Sequence, residues 1–190
     1  MLARLTDIAR HYRALDAVIA EFGEGFPRER FAQAAAAEAP AELNRVKATE
    51  RGLDQLFNYL AELGALGLEL AGLRAPDAEP NVRAGLRRLR EIGVIETALC
   101  EQLVRVAGIR NRMVHDYVGL SGTEVHEAVR LLHGALPRYI AAYQDWMRRI
   151  PAGDLASAAR PTSPARRGAT PPTASALGAA ARRLVRWADW

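Results

Sequence analysis

Residues 94–117, VIETALCEQLVRVAGIRNRMVHDY, repeat apolar side chains at helical spacing. One stripe advances at steps of four, four and three, which is the spacing of a single α-helical face; its members are Ile95, Leu99, Leu103 and Val106. The same stripe then reaches Arg110, where another core residue is due, and continues to Met113 and Tyr117. The stretch therefore predicts a long helix packed against a core, with a cation near the end of its buried face.

Arg110 has two structural explanations. An unpaired guanidinium is costly to bury, so Arg110 either pairs with an acid inside the fold, such as Glu50, or lines a cleft or interface that a phosphate can enter. On a regular helix Asn111 lies about 100° and His115 about 140° from Arg110, so these side chains do not share one face. Three arrangements would bring them together: the arginine stem bridges the arc, the last turn unwinds, or a two-fold dimer joins copies of both residues in one groove. We favour the dimer.

The motif and its surroundings resemble a known family. Asn111 directly follows Arg110 in an Arg-x4-His-x-Tyr pattern that ends in His115 and Tyr117. The surrounding order agrees, with three segments that match: Glu50-Arg51-Gly52-Leu53-Asp54-Gln55 at the opening of a long helix, Leu89 to Ile95 as a helix, a glycine and a helix start, and Ala107-Gly108-Ile109 before the motif. Across roughly residues 1 to 148 the chain resembles HEPN-domain proteins, specifically the HepT-type toxins. The resemblance implies an all-α, antiparallel helical bundle that is usually a homodimer.

The resemblance also implies an activity. HepT-type proteins are similar to metal-independent endoribonucleases, and they act as toxins in type VII-like toxin–antitoxin pairs. By that likeness Arg110 would hold the scissile phosphate, His115 would be the general base or acid for attack by the ribose 2′-hydroxyl, and Asn111 would orient the site. Tyr117 matches the tyrosine that the antitoxin, a minimal nucleotidyltransferase, modifies with AMP, which would block RNA entry.

A second function fits the same resemblance. A non-catalytic HEPN subunit would use the groove to bind a nucleotide, or would serve as substrate or scaffold for the partner nucleotidyltransferase. Structural roles are also open, because His115 could be a hydrogen-bonded core histidine and Tyr117 could close the apolar stripe with its hydroxyl at the rim. The intact motif favours the nuclease.

The charge of the chain is unevenly distributed. Residues 1–150 contain 20 Lys and Arg against 20 Asp and Glu, whereas residues 151–190 contain six Arg against two Asp, so the net +4 lies in the tail. A neutral body argues against strong sequence-independent binding to long nucleic acid, although it leaves room for a small site on one RNA. The alternatives for the arginines beside the motif are a basic stripe that follows RNA and a solvated helix face, and we favour the solvated face. The stripe would contain Arg83, Arg87, Arg88, Arg90, Arg105 and Arg110.

Several classes of site are excluded or not indicated. Cys100 is the only cysteine, so it cannot form an intramolecular disulfide, and we predict a buried core thiol. The four histidines lack zinc-site spacing, and we expect no metal or cofactor. Because there is no apolar run of about 20 residues and no signal-peptide pattern, we expect a cytoplasmic protein without a membrane span.

The periodicity divides the chain into three parts. Residues 1–150 form the predicted HEPN-like bundle, with helices at about 2–22, 27–40, 41–73, 81–93 and 94–117 and a last helix from Ser121 to about 150 that breaks near Gly134 and Pro137. Residues 151–175, rich in Pro, Ala, Ser and Thr, predict a flexible linker. Residues 176–190 predict a short amphipathic helix that needs a partner, the bundle, an RNA or a membrane to fold on, or else a frayed end.

Overall fold

The computed structural model describes residues 2–73, 81–115 and 120–150, and every regular element in these ranges is an α-helix. The helices are α1 (Leu2–Ala20), α2 (Arg28–Ala36), α3 (Pro40–Leu70), α4 (Val82–Glu91), α5 (Thr97–His115) and α6 (Gly122–Arg149). The predicted all-α bundle is therefore confirmed for this part of the chain. The predicted linker and C-terminal helix, at residues 151–190, lie outside the described residues, as does Tyr117.

The two longest helices organise the packing. α3 contacts α1, α2, α4 and α6, while α6 also packs on α2 and α5, so these two helices run through the core. α4 lies against both α3 and α5, and α5 is held between α4 and α6. Each of these helices places a buried apolar face inward, as the periodicity predicts. The predicted stripe of Ile95, Leu99, Leu103, Val106 and Met113 is buried.

α5 begins later than the sequence predicts. Gly93 has a φ of +74°, a left-handed conformation that a glycine adopts without strain, and it ends α4 in a turn. Val94 and Ile95 belong to this turn, with both side chains buried, and the helix starts at Thr97. The turn directs α5 back along α4, which places the motif at the far end of α5.

Close contact between α3 and α6 depends on two glycines. A Cβ atom at Gly64 would lie 2.7 Å from the Tyr139 hydroxyl, and one at Gly67 would lie 2.6 Å from the Trp146 ring and 2.7 Å from the Tyr143 ring. Neither position has room for a side chain while the aromatic residues of α6 stay in place.

The predicted break in the last helix is wrong, because α6 runs without interruption through Pro137. Proline lacks an N–H group, so the carbonyl of His133, four residues earlier, loses its usual helical donor. The Tyr12 hydroxyl of α1 donates to this carbonyl at 3.2 Å, and its ring stacks on the His133 ring at 4.7 Å between centroids. A residue of another helix thus supplies the hydrogen bond that Pro137 removes.

Both predicted helix starts around the motif are confirmed. The Asn81 side chain accepts from the Ala84 amide and caps α4. At α6, Ser121 and Glu124 form a capping box, in which each side chain bonds to the backbone amide of the other residue.

Cys100 is buried as predicted, and burial raises the pKa of its thiol, although Arg90 and Arg87 act in the opposite direction. None of the described helices is long and apolar enough to cross a membrane.

Candidate functional site

The end of α5 carries three of the four predicted site residues. Arg110, Asn111 and His115 all lie within its last two turns, and Met113 between them is buried against the core. Because Met113 fixes the rotation of this segment, Arg110 and His115 must leave the helix on different sides. Asn111 and His115 are exposed, and the Val114 side chain beside them is 50% exposed.

Arg110 turns toward α3. Its Nε donates to Asp54 Oδ1 at 2.7 Å and its Nη2 donates to Asn58 Oδ1 at 3.1 Å. Asn58 also donates from Nδ2 to Asp54 Oδ2 at 3.2 Å, so the three side chains form one network. Of the two explanations for Arg110, pairing with an acid is the one observed, and the acid is Asp54 rather than Glu50.

This network leaves part of the guanidinium group available. An arginine presents five N–H donors, and the contacts with Asp54 and Asn58 use Nε and Nη2. Among the described residues, Nη1 has no hydrogen-bond partner. The Arg110 side chain keeps 22% of its surface exposed, and Nη1 is the guanidinium nitrogen that α3 does not hold.

His115 and Asn111 face a different region, a cleft of about 650 Å³ where α4, α5 and α6 meet. The polar residues that line it are Arg83 from α4, Arg105, Asn111, Arg112 and His115 from α5, and Glu124 and Glu127 from α6. A cleft of this size admits a ligand larger than a single phosphate ion. Arg110 does not line this cleft in the part of the chain that the structure describes.

Two of the arginines in the cleft are already paired. Arg112 bonds to Glu124 and Arg105 bonds to Glu127, each at an N–O distance of 2.5 Å. Hydrogen bonds from the Ser121 amide and hydroxyl hold the pKa of the Glu124 carboxyl below its usual value, and Arg112 adds to the effect. Glu124 therefore stays ionised as a helix-capping residue and as the partner of Arg112.

A comparison with protein families identifies the chain. The model of the HepT-like ribonucleases matches residues 9–142, from within α1 to within α6. The chain belongs to the HepT-like ribonuclease family. Comparisons with curated proteins and with solved structures gave no match. The family match confirms the resemblance inferred from the motif, and the ribonuclease family implies RNA as the class of substrate.

The HepT-like fold brings some of the predicted residues together and separates others. Asn111 and His115 share the cleft, whereas Arg110 is bound to α3, in agreement with the angles expected on a regular helix. The arginines of the alternative basic stripe do not form one continuous surface. Arg83 and Arg105 line the cleft, Arg88 pairs with Glu91 on its own helix, and Arg110 lies elsewhere.

Asp54 and Asn58, the α3 residues that hold Arg110, were not among the predicted site residues. Asp54 and Asn58 are one helical turn apart, which would place them on one face, and both are half-buried beside the apolar stripe of α3. Two polar residues at that spacing next to core positions were a signal that a buried cation lay opposite.

Among residues 2–73, 81–115 and 120–150, no three His, Cys, Asp or Glu side chains are arranged to hold a metal ion.

Proposed function

We propose that this HepT-like protein is the toxin of a toxin–antitoxin pair and cleaves RNA without a metal ion, using Arg110 and His115. The observation that carries the proposal is the exposure of His115, with Asn111, in an arginine-lined cleft at the end of the helix that also holds Arg110. An imidazole that packing does not require is free to exchange protons with a ligand. The ribonuclease family supplies the substrate class.

The chemistry requires proton transfer at two oxygens and a cation at the phosphate, and His115 and Arg110 supply them. His115 takes the proton from the ribose 2′-hydroxyl, whose oxygen then forms a bond to the adjacent phosphorus. The bond from phosphorus to the 5′-oxygen breaks, and that oxygen accepts the proton that His115 has taken up, so that His115 serves first as the base and then as the acid. Arg110 donates hydrogen bonds to the phosphoryl oxygens as their charge increases. The products are a fragment that ends in a 2′,3′-cyclic phosphate and one that begins with a 5′-hydroxyl.

We propose further that two copies of the chain build the site. Arg110 and His115 face different sides of α5, so one protomer does not present both to one phosphate in the observed geometry. A two-fold dimer places the same surface of both copies in contact, which would bring Arg110 of one copy near His115 of the other. Exposed Val114, next to His115, would be covered by such a contact.

Regulation by a nucleotidyltransferase antitoxin completes the proposal. Tyr117 stands two residues after His115 in the sequence. An AMP group on its hydroxyl would add bulk and negative charge beside the histidine, and RNA phosphates would be repelled. Purified protein incubated with the partner enzyme and ATP should gain AMP at Tyr117 and lose cleavage, whereas the Tyr117→Phe variant should remain active.

The alternative is a non-catalytic subunit whose cleft binds a nucleotide or docks the nucleotidyltransferase. The equal numbers of acidic and basic residues in residues 1–150 favour it, as do the carboxylates that already occupy two cleft arginines. Under this alternative Tyr117→Phe would impair the partner's function, and RNA would stay intact with every variant.

A cleavage assay separates the two functions. Wild-type protein, His115→Ala and the control His11→Ala, whose histidine lies on α1, are incubated with total RNA including tRNA in EDTA. The nuclease predicts discrete fragments that end in cyclic phosphate for wild type and His11→Ala, and none for His115→Ala. Intact RNA in all three reactions would favour the non-catalytic subunit.

Mixing variants tests the composite site. Arg110→Ala and His115→Ala are each inactive alone, but a mixed dimer retains one groove with both intact residues if each groove takes one residue from each copy. Random pairing makes half of the dimers mixed, and each mixed dimer has one intact groove out of two. About one quarter of wild-type activity should therefore return. A site contained within one protomer predicts no recovery.

A further inference from the structure

Arg83 is an unusual member of the cleft. It lies in the first turn of α4, and its guanidinium group crosses to α5 and rests over Gly108. A Cβ atom at Gly108 would lie 3.2 Å from Arg83 Nη2, so the absence of a side chain there makes room for the arginine. The result is a guanidinium held at the wall of the same cleft that Asn111 and His115 line.

Arg83 differs from the other cleft arginines in its charge balance. Arg105 and Arg112 each have a carboxylate of α6 at 2.5 Å. Within the described ranges, Arg83 forms neither an ion pair nor a hydrogen bond. Its position near the positive end of the α4 dipole is also unfavourable for a cation, and the first turn of α4 contains no acid to offset it. Arg83 therefore does little to stabilise the free protein.

We propose that Arg83 binds a phosphate of the RNA next to the scissile one and so positions the substrate against His115; this inference rests on the proposed ribonuclease function. An unpaired guanidinium at the wall of a cleft is a good site for a phosphate oxygen, because its planar N–H groups match the geometry of the phosphate. Glu127 and Glu124 already neutralise the other two cleft arginines, Arg105 and Arg112. Arg83 is therefore the cleft arginine whose charge is most available to an RNA phosphate. Arg83 is a positioning residue and takes no part in proton transfer.

Binding of RNA tests this role directly. The probe is a short fluorescent single-stranded RNA of mixed sequence, and all proteins carry His115→Ala so that the probe stays intact. Arg83→Gln, which keeps much of the side-chain length but removes the charge, should raise Kd about ten-fold, as expected for one lost charge-assisted contact. The slope of log Kd against log salt concentration should fall by about 0.7, the contribution of one phosphate contact to single-stranded RNA.

Two further variants separate a binding role from a structural one. Arg88→Gln is the matched control, because Arg88 lies on the same helix, is exposed and pairs with Glu91 outside the cleft; it should leave Kd and the salt slope unchanged. Gly108→Ala displaces the Arg83 guanidinium by a few tenths of an ångström while improving the helix propensity of α5. It should raise the melting temperature and weaken RNA binding, though less than Arg83→Gln does.

The outcomes distinguish this inference from the proposed function. If wild-type protein cleaves RNA and Arg83→Gln binds and cleaves it equally well, the role of Arg83 is refuted and the nuclease stands. If no variant cleaves RNA but Arg83→Gln still weakens RNA binding and lowers the salt slope, the nuclease fails and the phosphate contact stands. Arg83→Gln that weakens binding of AMP but not of RNA would overturn the assignment to RNA.

Discussion

Replacing Asp54 by asparagine tests whether the network on α3 serves the site or only the fold. The substitution keeps the shape of the side chain and removes the charge that binds Arg110 at 2.7 Å. If Arg110 works from the position in which Asp54 and Asn58 hold it, the variant should lose both stability and cleavage. Asp54 would then be a positioning residue that acts through Arg110.

The size of the stability loss follows from burial. Removing one member of a fully buried ion pair costs about 3–5 kcal/mol, whereas an exposed pair contributes at most about 1 kcal/mol. The Asp54 and Arg110 side chains are 33% and 22% exposed, so solvent screens the pair in part. Because asparagine can still accept one hydrogen bond, we expect a loss of about 1–2 kcal/mol, which lowers Tm by about 3–6 °C in a chain of this size.

The effect on cleavage should be larger than the effect on stability. A guanidinium freed from α3 samples many rotamers, and misplacing a group that stabilises the transition state costs about 10- to 100-fold in rate. Single-turnover cleavage, measured well below Tm and with saturating protein, should show this loss in the rate constant. KM should change little, because the charge of Arg110 remains available for binding.

Asp145→Asn is the matched control for Asp54→Asn. Asp145 pairs with Arg148 at 2.6 Å one turn away on α6, and its side chain is 67% exposed. The control should change the free energy of unfolding by less than about 0.5 kcal/mol and leave cleavage intact. If Asp54→Asn loses stability but cleaves at the wild-type rate, Asp54 has only a structural role and the positioning argument is refuted.

Three further predictions concern the fold. Gly67→Ala should destabilise the protein by about 1–3 kcal/mol in chemical unfolding, since its Cβ would overlap aromatic rings of α6, whereas Gly85→Ala, at an open position inside α4, should stabilise it by about 0.5–1 kcal/mol. Tyr12→Phe should cost about 1–2 kcal/mol, because the His133 carbonyl loses its donor; an unchanged unfolding midpoint would show that water replaces the hydroxyl. Cys100 should resist thiol reagents at neutral pH until denaturant is added, since it is buried and its thiol pKa is raised; rapid labelling of the native protein would contradict this.

The sequence predicted most of α5 because its signals are local. The buried stripe, the start of α6 at Ser121 and the unexpected cation at Arg110 all follow from the spacing of neighbouring residues. The partner of Arg110 does not, since Asp54 lies 56 residues earlier and its contact depends on how α3 and α5 rotate against each other. The predicted example, Glu50, lies one turn before Asp54 on the same face of α3 but is not the acid that binds Arg110.

Pro137 is a second case in which a tertiary contact decides what local sequence does not predict. The expectation of a helix break rests on the missing N–H group, which is a property of proline alone. The helix continues because the Tyr12 hydroxyl, 121 residues earlier in the chain, bonds to the carbonyl that proline leaves without a donor. A local rule fails here because a tertiary contact supplies the interaction that the rule assumes to be lost.

The geometry at the end of α5 also ranks the three ways of joining Arg110 and His115. Bridging by the arginine stem would break the contacts with Asp54 and Asn58, which we expect to contribute about 1–2 kcal/mol. Unwinding the last turn would expose buried Met113, at a cost of about 1.5–3 kcal/mol, besides the helical hydrogen bonds. A second copy of the chain would require neither change, because both residues could keep their observed positions and each would face the other protomer. The composite dimer therefore remains our favoured arrangement, and recovery of activity by mixed variants is the result that would distinguish it from the other two.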